Sequence, residues 1–341
     1  MMPLSTGRGK PMGWRDKPRE EEREGAPRIG FDVLGTAGRE AIHDATLDVL
    51  ENVGVKVPVE EALDLLDAAG CLVDACAETV RFPRRIVEEA LESTPGTILL
   101  ASRDGGRDYL MGGRSVGYTN FGEGIRVYDL ETGEHRDSTL DDLALIARLC
   151  DALEMVETFE MAVTPTDVAP ESAYLEGFVA AIRNTTKHVH AGVETGGQIE
   201  HLVEIAAAVV GGTEALRERP IFSIDTCPTS PLALYSPTPE IMMGCARHGI
   251  AANVISMAMA GATSPIGLSG TMVTHNAEVL SALTLAQLTA AGAPVIYGSS
   301  TTTFDLRHAT APVGAPELAL ISAAVAEMSD FYYLPCWVAG G

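Results

Sequence analysis

Long apolar runs, a secretory signal and an excess of basic residues are all missing from this sequence of 341 residues. No run approaches the roughly 18 to 20 apolar residues that cross a bilayer, and the N-terminus has no apolar core that could act as a signal. The net charge of −23, from 24 basic and 47 acidic residues, argues against nucleic-acid binding, which needs clustered lysine and arginine. We therefore predict a cytoplasmic protein with no membrane or nucleic-acid partner.

Paired cysteines and the lysine of a P-loop are missing as well. The six cysteines include no Cys-x-x-Cys pair, which argues against disulfides and a structural zinc site. The stretch "MAGATSPIGLSGT" could hold a phosphate or a cofactor, or be a plain connection, but it is not a P-loop. His188 and His190 share one face of a predicted strand, yet no third ligand lies near them in the sequence. We predict a structural role for this pair and no metal site.

The N-terminal third of the chain changes character at about residue 27. Residues 1–27 are rich in Gly, Pro, Arg and Glu, which predicts a disordered tail. Residues 28–115 show the apolar spacing of helices, centred near Leu50, Leu66 and Ile86. We predict that they form a helical N-terminal subdomain with a connection to the rest.

The rest of the chain, residues 116–341, alternates strand-like and helical segments. A β-hairpin is predicted to turn at residues 131–133, and Ser138 or Thr139 can cap the helix that follows. Strand-like runs then alternate with helices: "MVETFEMAVTP", "HVHAGVE", "IFSIDTC", "ANVISMAM", "PVIYGSS" and "PCWVAGG". This alternation is typical of parallel βαβ units with right-handed crossovers.

An open doubly wound sheet and a closed (β/α)₈ barrel both fit the alternation. No Gly-x-Gly-x-x-Gly turn follows the first strand, and several strands end in polar residues, where barrel active sites are built. We therefore predict an α/β fold of the (β/α)₈ TIM-barrel type. A whole barrel takes about 250 residues or more, and residues 116–341 hold only about six units, so we expect the barrel to be incomplete over this sequence.

Residues just past the carboxyl ends of barrel strands face a common mouth. That rule selects Glu194, Asp225, Thr226, Tyr297, Ser299, Ser300 and the residue that would follow Gly341. For each residue alone, capping of the next helix is as good an interpretation as a role in a site. Their joint placement favours a site.

Four blocks toward the C-terminus resemble those of a known family. They read "AGATSPIGLSGTMVTHNAEVLSALTLAQL", "GAPVIYGSSTTTFDLR", "GAPELALISAAVAEM" and "LPCWVAGG". The chain resembles the trimethylamine:corrinoid methyltransferases collinearly from about Gly30 to Gly341, and most specifically from Ala260 onward. The resemblance implies a (β/α)₈ barrel with an added helical N-terminal part.

The same resemblance implies a function. Members of this family move a methyl group from trimethylamine to the cobalt of a separate corrinoid protein, in methylamine catabolism or methanogenesis. The chain itself would bind no tight cofactor, because the corrinoid belongs to the partner. A related branch acts on glycine betaine and similar quaternary amines, and an inactive truncated binding protein is the alternative from another class.

The trimethylamine branch carries pyrrolysine, encoded by an in-frame amber codon, after the block matched here by "VAGG". The resemblance therefore implies pyrrolysine directly after Gly341, and we expect it to be the main catalytic residue. We expect the full-length protein to form a homo-oligomer, and the chain ending at Gly341 to be inactive.

An acidic or aromatic mouth suits a methylammonium ion through charge and cation–π attraction. We therefore predict catalytic roles for Glu194, Asp225 and His275, the last as a proton donor or orienting group. His275 begins a predicted helix and could equally hydrogen-bond a loop. The predicted substrate-binding residues are Tyr297, Ser299 and Thr226.

Overall fold

The computed structural model describes residues 32–113 and 115–340, so the predicted disordered tail lies outside the described residues. Three helices and seven short strands precede the barrel. They are α1 (Gly35–Asn52), β1 (Val55–Lys56), α2 (Glu60–Ala68), β2 (Leu72–Asp74), β3 (Thr79–Arg81), α3 (Arg84–Ser93), β4 (Thr97–Leu100), β5 (Tyr109–Gly112), β6 (Arg126–Tyr128) and β7 (His135–Asp137).

The N-terminal region is helical where the apolar spacing predicted it. Leu50, Leu66 and Ile86 are buried on α1, α2 and α3. The structure adds a small antiparallel sheet in the order β1-β3-β2, which the spacing did not reveal because strands of two or three residues carry too little periodicity. These helices share one apolar core with later helices of the chain, and the predicted subdomain boundary at residue 115 stays a prediction.

The later elements alternate as predicted. They are α4 (Leu140–Ala152), β8 (Thr158–Glu160), α5 (Ala173–Asn184), β9 (His188–Ala191), α6 (Gln198–Val210), α7 (Thr213–Glu218), β10 (Phe222–Thr226), α8 (Thr238–His248), β11 (Ala251–Ser256), β12 (Met259–Ala260), α9 (Leu268–Thr289), β13 (Val295–Ser299), β14 (Thr302–Thr303), α10 (Pro316–Tyr332) and β15 (Cys336–Val338). Within the described ranges, no helix is long and apolar enough to cross a membrane.

The start of α4 shows how local sequence fixes an element. The Thr139 hydroxyl accepts a hydrogen bond from the Asp142 N–H at 3.2 Å, and Asp142 Oδ2 accepts one from the Thr139 N–H at 2.9 Å. This reciprocal capping box satisfies two donors at the helix start. Of the two predicted capping residues, Thr139 is the cap, while the Ser138 hydroxyl donates to the Thr164 carbonyl at 2.6 Å.

Six parallel strands form the main sheet in the order β15-β13-β11-β10-β9-β8. The order follows the chain without reversal, whereas a doubly wound sheet reverses at a switch point. Apolar side chains from one face of these strands belong to the core that the helices share. One-sided helical cover with sequential strands is the arrangement of a (β/α)₈ barrel, so these strands form part of a barrel wall. We call this sheet the half-barrel.

Two segments cover open sides of the half-barrel. The β4–β5 hairpin packs Ile98, Leu100 and Met111 against Ala251 and Ile296 on the inner face. The residue that follows β4 also contacts the segment just before β10, because the Ala101 N–H donates to the Pro220 carbonyl at 3.1 Å. The hairpin therefore closes the amino-terminal end of the half-barrel, opposite the end where barrel active sites lie.

The second segment, residues 118–124, runs beside the free edge of β8. The Glu157 N–H donates to the Tyr118 carbonyl at 2.8 Å, and the Glu123 N–H donates to the Met161 carbonyl at 2.9 Å. We call residues 118–124 the edge segment, since it satisfies backbone groups that an edge strand otherwise leaves open.

Antiparallel pairing of β6 with β7 confirms the hairpin predicted around residues 131–133.

Candidate active site

The inner face of the half-barrel carries a row of polar side chains. Side chains alternate between the two faces of a strand, and the apolar members of β8 to β11 belong to the shared core on the helix side. The residues between them are Thr158 and Glu160 on β8, His188 and His190 on β9, Ser223 and Asp225 on β10 and Asn253 on β11. All are buried except Asp225, which is partly exposed.

Asp225 occupies the middle of this row, with a side chain that is 10% exposed. Its Oδ1 accepts a hydrogen bond from Asn253 Nδ2 at 2.8 Å and lies 3.8 Å from Nδ1 of His190. Its Oδ2 is buried and accepts no hydrogen bond. Gly298 on β13 leaves room for Asn253, because a Cβ at Gly298 would clash with Asn253 Oδ1. The carboxylate is therefore held in place with one acceptor atom unused.

Glu160, at the carboxyl end of β8, is the second acid of the cluster and is 6% exposed. Glu160, His190 and Asp225 each place one ligand atom within 4.8 Å of the other two. Oε2 of Glu160 is buried without a hydrogen-bond partner. The side chain of Asn120 hydrogen-bonds both backbone groups of Glu160, at 2.7 and 3.1 Å. The edge segment thus fixes Glu160 beside Asp225.

Glu123 is a third acid, and it comes from the edge segment itself. Its φ of 59° lies in the left-handed region that non-glycine residues rarely adopt. A Cβ at Gly192 would clash with Glu123 Oε1 and with the Tyr174 ring, so that glycine allows both side chains to approach the strand end. Strained backbone persists where its surroundings hold it, often at functional sites.

The three acids lie close enough to repel one another, with Glu160 buried, Asp225 partly exposed and part of Glu123 exposed to solvent. Burial, followed by the charge of Asp225, raises the pKa of Glu123. Burial, the charge of Asp225 and a side-chain hydrogen bond with Asp225, in that order, raise the pKa of Glu160 well above its usual value. The charged groups that act on these two carboxyls are acidic, without a lysine or arginine among them. The arrangement favours either a bound cation or a proton held by Glu160.

The two histidines of β9 lie on the inner face, and burial lowers the pKa of both, so they are neutral. Their predicted common face is confirmed. His190 contacts the hydroxyls of Ser223 through Nδ1 at 2.9 Å and of Thr158 through Nε2 at 3.1 Å. In the folded chain, Glu160 and Asp225 lie beside His190 and could act as further metal ligands, although they are distant from it in the sequence. Because both ring nitrogens are already hydrogen-bonded, we interpret the group as a polar network, and the expectation of no metal stays a prediction.

Among the predicted site residues that follow β9 and β10, the structure brings Asp225 into the acidic cluster. Glu194 is exposed, and its N–H donates to Gln198 Oε1 at 2.8 Å. Thr226 is buried and donates to the Thr238 hydroxyl of α8 at 2.9 Å. Thr226 therefore does not face the mouth as expected, because it follows Asp225 directly and a strand turns adjacent side chains to opposite faces. The chemical roles of Asp225 and Glu194 remain predictions.

The other predicted residues lie between the sheet and its helices. Tyr297 is fully buried, and its hydroxyl donates to Asn276 Oδ1 at 2.7 Å. His275 lies on α9 with Nε2 3.1 Å from the Gly298 carbonyl, and burial lowers its pKa to about 4. Ser299 is buried and accepts from the Thr301 N–H at 3.1 Å. Their expected position at the mouth is wrong: Tyr297 and Ser299 alternate onto the helix side, and His275 packs on the same side from α9.

Sequence reasoning missed Glu123 and Glu160. One signal for Glu160 was present, since the run "TFE" ends in an acid within a buried strand. For Glu123 the signal was the flanking of an acid by Gly122 and Gly124 in a stretch predicted as a hairpin. Neither signal decides alone, because the cluster forms only when three segments that are distant in the sequence meet.

A family model described as "Trimethylamine methyltransferase (MTTB)" matches residues 16–341 of this sequence. The chain belongs to this methyltransferase family. The trimethylamine methyltransferase MttB of Desulfitobacterium hafniense (strain DSM 10664 / DCB-2) is 46% identical over 320 residues, which cover 93% of this chain and 64% of that protein. The MttB of Methanosarcina barkeri (strain Fusaro / DSM 804) is 44% identical over 317 residues, 92% of this chain and 64% of the relative.

A more distant relative is the glycine betaine methyltransferase of Desulfitobacterium hafniense (strain Y51), 30% identical over 312 residues, with 91% of this chain and 64% of the relative covered. The chain thus spans 64% of the length of these curated relatives. The family resemblance inferred from the C-terminal blocks is confirmed.

Among solved structures, the crystal structure of the hydroxylamine MtmB complex matches with a TM-score of 0.52 at 12% identity, covering 92% of this chain and 69% of that one. At this identity the likeness concerns the fold, and the barrel-type prediction is confirmed. The pyrrolysine predicted after Gly341 lies outside the described residues, and it stays a prediction.

Proposed function

We propose that this protein takes part in methyl transfer from trimethylamine to the cobalt of a cognate corrinoid protein, with the inner face of the half-barrel binding the amine as a cation. The observation that carries the proposal is the cluster of Glu123, Glu160 and Asp225, which are acids without a basic partner on the inner face of a trimethylamine methyltransferase family member. The corrinoid partner, the homo-oligomer and the cytoplasmic location belong to the same proposal.

The acids contribute to binding through charge. Two opposite unit charges 4 Å apart attract by about 4 kcal/mol at the effective dielectric of a protein surface. The side chain of Asp225 is only 10% exposed, so water screens that attraction little. Tyr174, next to Glu123, adds an aromatic ring of the kind that attracts a methylated cation. The resulting site holds one small cation and orients its methyl groups.

The charge also bears on the chemistry. When the carbon–nitrogen bond breaks, its electron pair stays on nitrogen while the methyl group bonds to cobalt(I) of the partner. A positive nitrogen departs as a neutral amine, whereas a neutral nitrogen would depart as an anion. Acids that keep the nitrogen in its positive form therefore supply the better leaving group, and the fixed orientation of the bound amine serves the transfer step.

A second candidate substrate is a betaine, because one relative is a glycine betaine methyltransferase. A betaine carries a carboxylate beside its ammonium group, and an acidic cluster repels that carboxylate. Charge therefore favours an amine without a carboxylate. A non-catalytic binding protein, the alternative from another class, would bind the amine or the corrinoid protein without methyl transfer.

The test is a methyl-transfer assay with the purified full-length protein, which we expect to continue past Gly341, and its reduced corrinoid protein, followed through the absorbance of methylcobalamin. We expect transfer from trimethylamine and little from glycine betaine. A preference for glycine betaine would contradict the substrate proposal. Binding of the corrinoid protein without transfer from any methylamine would favour the non-catalytic alternative.

A further inference from the structure

An unbroken series of hydrogen bonds links the two buried histidines of β9 to the neighbouring strands β8 and β10. It starts at the Pro220 carbonyl, which lies 3.1 Å from Nδ1 of His188. Nε2 of His188 lies 3.1 Å from the Ser223 hydroxyl, and that hydroxyl lies 2.9 Å from Nδ1 of His190. Nε2 of His190 lies 3.1 Å from the Thr158 hydroxyl. We call these five groups the histidine relay.

The Pro220 carbonyl fixes the direction of the histidine relay, because a carbonyl only accepts. Nδ1 of His188 therefore carries a proton and donates it. Burial lowers the pKa of His188 well below its usual value, so the ring is neutral and its Nε2 accepts the proton of the Ser223 hydroxyl. Ser223 has no second proton to donate. Its oxygen must therefore accept an N–H from Nδ1 of His190.

The same reasoning carries on to the end of the relay. Burial lowers the pKa of His190 too, and a neutral imidazole has one N–H and one lone pair. Since Nδ1 of His190 holds the N–H, its Nε2 accepts the Thr158 O–H. Which ring nitrogen of a histidine carries the proton is set by the partner of the other nitrogen, and here that control reaches from one ring to the next.

The tautomer of His190 matters because this ring lies beside the acidic cluster. Its Nδ1 is 3.8 Å from Oδ1 of Asp225. In the Nδ1–H tautomer, the positive end of an N–H bond lies on that side of the ring, together with the Asn253 Nδ2 group that donates to the same oxygen at 2.8 Å. Such neighbours favour the charged form of a carboxylate. In the other tautomer a lone pair would lie there and repel the carboxylate.

We propose that His188 is a positioning residue that acts through Ser223 to hold His190 in the Nδ1–H tautomer, so that a donor and not a lone pair lies beside Asp225. The proposal rests on the proposed function only for the use of the Asp225 charge in binding the amine. The tautomer itself belongs to the protein without substrate, and it can be measured whether or not methyl transfer occurs.

The test is magic-angle-spinning NMR of the full-length protein with isotope-labelled histidine, at neutral pH and without substrate. The shifts of the ring carbons and nitrogens distinguish the two neutral tautomers from the imidazolium ion, and the His190 signals are those lost in His190→Gln. We expect both His188 and His190 as Nδ1–H tautomers in the wild-type protein.

His188→Phe tests the control of one ring over the other. The substitution removes the acceptor of the Ser223 O–H, which can then turn and donate to Nδ1 of His190. We therefore expect His190 to change to the Nε2–H tautomer. kcat/KM for trimethylamine should fall about fivefold, mainly through KM, as for the loss of one weak polar interaction. His201→Phe, at an exposed site on α6, is the matched control and should change neither quantity.

The Nε2–H tautomer or an imidazolium at His190 in the wild-type protein would overturn the proposal. An unchanged tautomer or an unchanged kcat/KM in His188→Phe would overturn it as well, as would a change of the His190 signals on addition of a chelator, which would assign a ring nitrogen to a metal ion. Absence of methyl transfer from any methylamine in the wild-type protein would reject the proposed function, and the tautomers would still decide the relay.

Thr158→Val takes the place of His188→Phe if that variant does not melt cooperatively. Loss of the Thr158 hydroxyl should shift the Nε2 signal of His190 and leave the proton on Nδ1, because the Pro220 end of the relay is intact. A change of tautomer in Thr158→Val would mean that Thr158 and not His188 controls His190, and it would overturn the proposal.

Discussion

The two faces of the half-barrel are opposite in chemical character, one apolar and the other acidic. The helix side of β8, β9 and β10 carries Phe159, Val189 and Phe222, all in the core. The inner side of the same strands carries Glu160, His190 and Asp225. These strands have only three to five residues. Neighbouring residues of one strand thus belong to an apolar layer on one side and a polar, acidic layer on the other.

Successive side chains of a strand point to opposite faces. The same strands therefore stabilise the fold with one face and form the candidate binding site with the other. The outer layer is complete, as when Phe222 meets Phe178 of α5 edge-on with ring centroids 5.2 Å apart. The inner layer is less complete, because Glu160 and Asp225 have no basic partner and depend on a proton or a bound cation to offset their repulsion. Substitutions on the outer side should therefore change folding, and substitutions on the inner side should change binding.

The largest effect is expected on the outer side. Phe222→Ala removes a fully buried ring and should lower the free energy of unfolding by about 3–5 kcal/mol. Chemical denaturation monitored by circular dichroism measures this. Leu130→Ala is the control, since Leu130 is 93% exposed and should change stability by less than about 0.5 kcal/mol. A loss at Phe222 as small as the control would contradict the separation of the two faces.

Asp225→Asn tests the inner side at almost constant shape. Removal of a buried charge that meets a cation should lower methyl transfer by at least about 30-fold. The melting temperature should not fall, because the substitution also removes repulsion from Glu123 and Glu160. Asp64→Asn, at an exposed site on α2, should leave transfer unchanged. Unfolding of the Asp225 variant would mean that the acid is structural.

Tyr297→Phe sharpens the comparison, because this residue was predicted for the site and lies on the helix side. The substitution leaves Asn276 Oδ1 without the donor that now lies at 2.7 Å. We expect a loss of about 1–3 kcal/mol in the free energy of unfolding and unchanged methyl transfer per folded molecule. Thermal unfolding and the transfer assay measure the two quantities. Lower transfer at unchanged stability would return Tyr297 to the active site.

The smallest effect is a change in pH dependence. The raised pKa of Glu160 means that the folded protein binds this proton more tightly than the unfolded chain does. The free energy of unfolding should therefore fall as pH rises from the ordinary glutamate pKa toward the raised value. Glu160→Gln should flatten that part of the profile and stabilise the protein at neutral pH by about 1 kcal/mol. An unchanged pH profile in Glu160→Gln would mean that a group other than Glu160 binds the proton. Glu131→Gln, at an exposed site, is the control and should leave the profile unchanged.

The sequence by itself determined the elements and their class. The alternation of buried runs with amphipathic helices predicted the six strands of the half-barrel and the barrel type, because periods of 2 and 3.6 residues are written in the chain. The cap at Thr139 was predictable for the same reason, since a capping box needs residues only three apart. The C-terminal blocks also sufficed to identify the family.

Only the tertiary structure decided which polar residues meet. The positions of the strands were predicted but not their exact ends, and a shift of one residue moves a side chain to the other face. Thr226 and Tyr297 were lost from the site in this way. Glu123 and Glu160 were gained because the edge segment folds along β8 and brings together acids 37 residues apart by number. The charge repulsion and the burial of these acids arise only when the segments come together in the folded protein. No local pattern in the sequence could therefore reveal them.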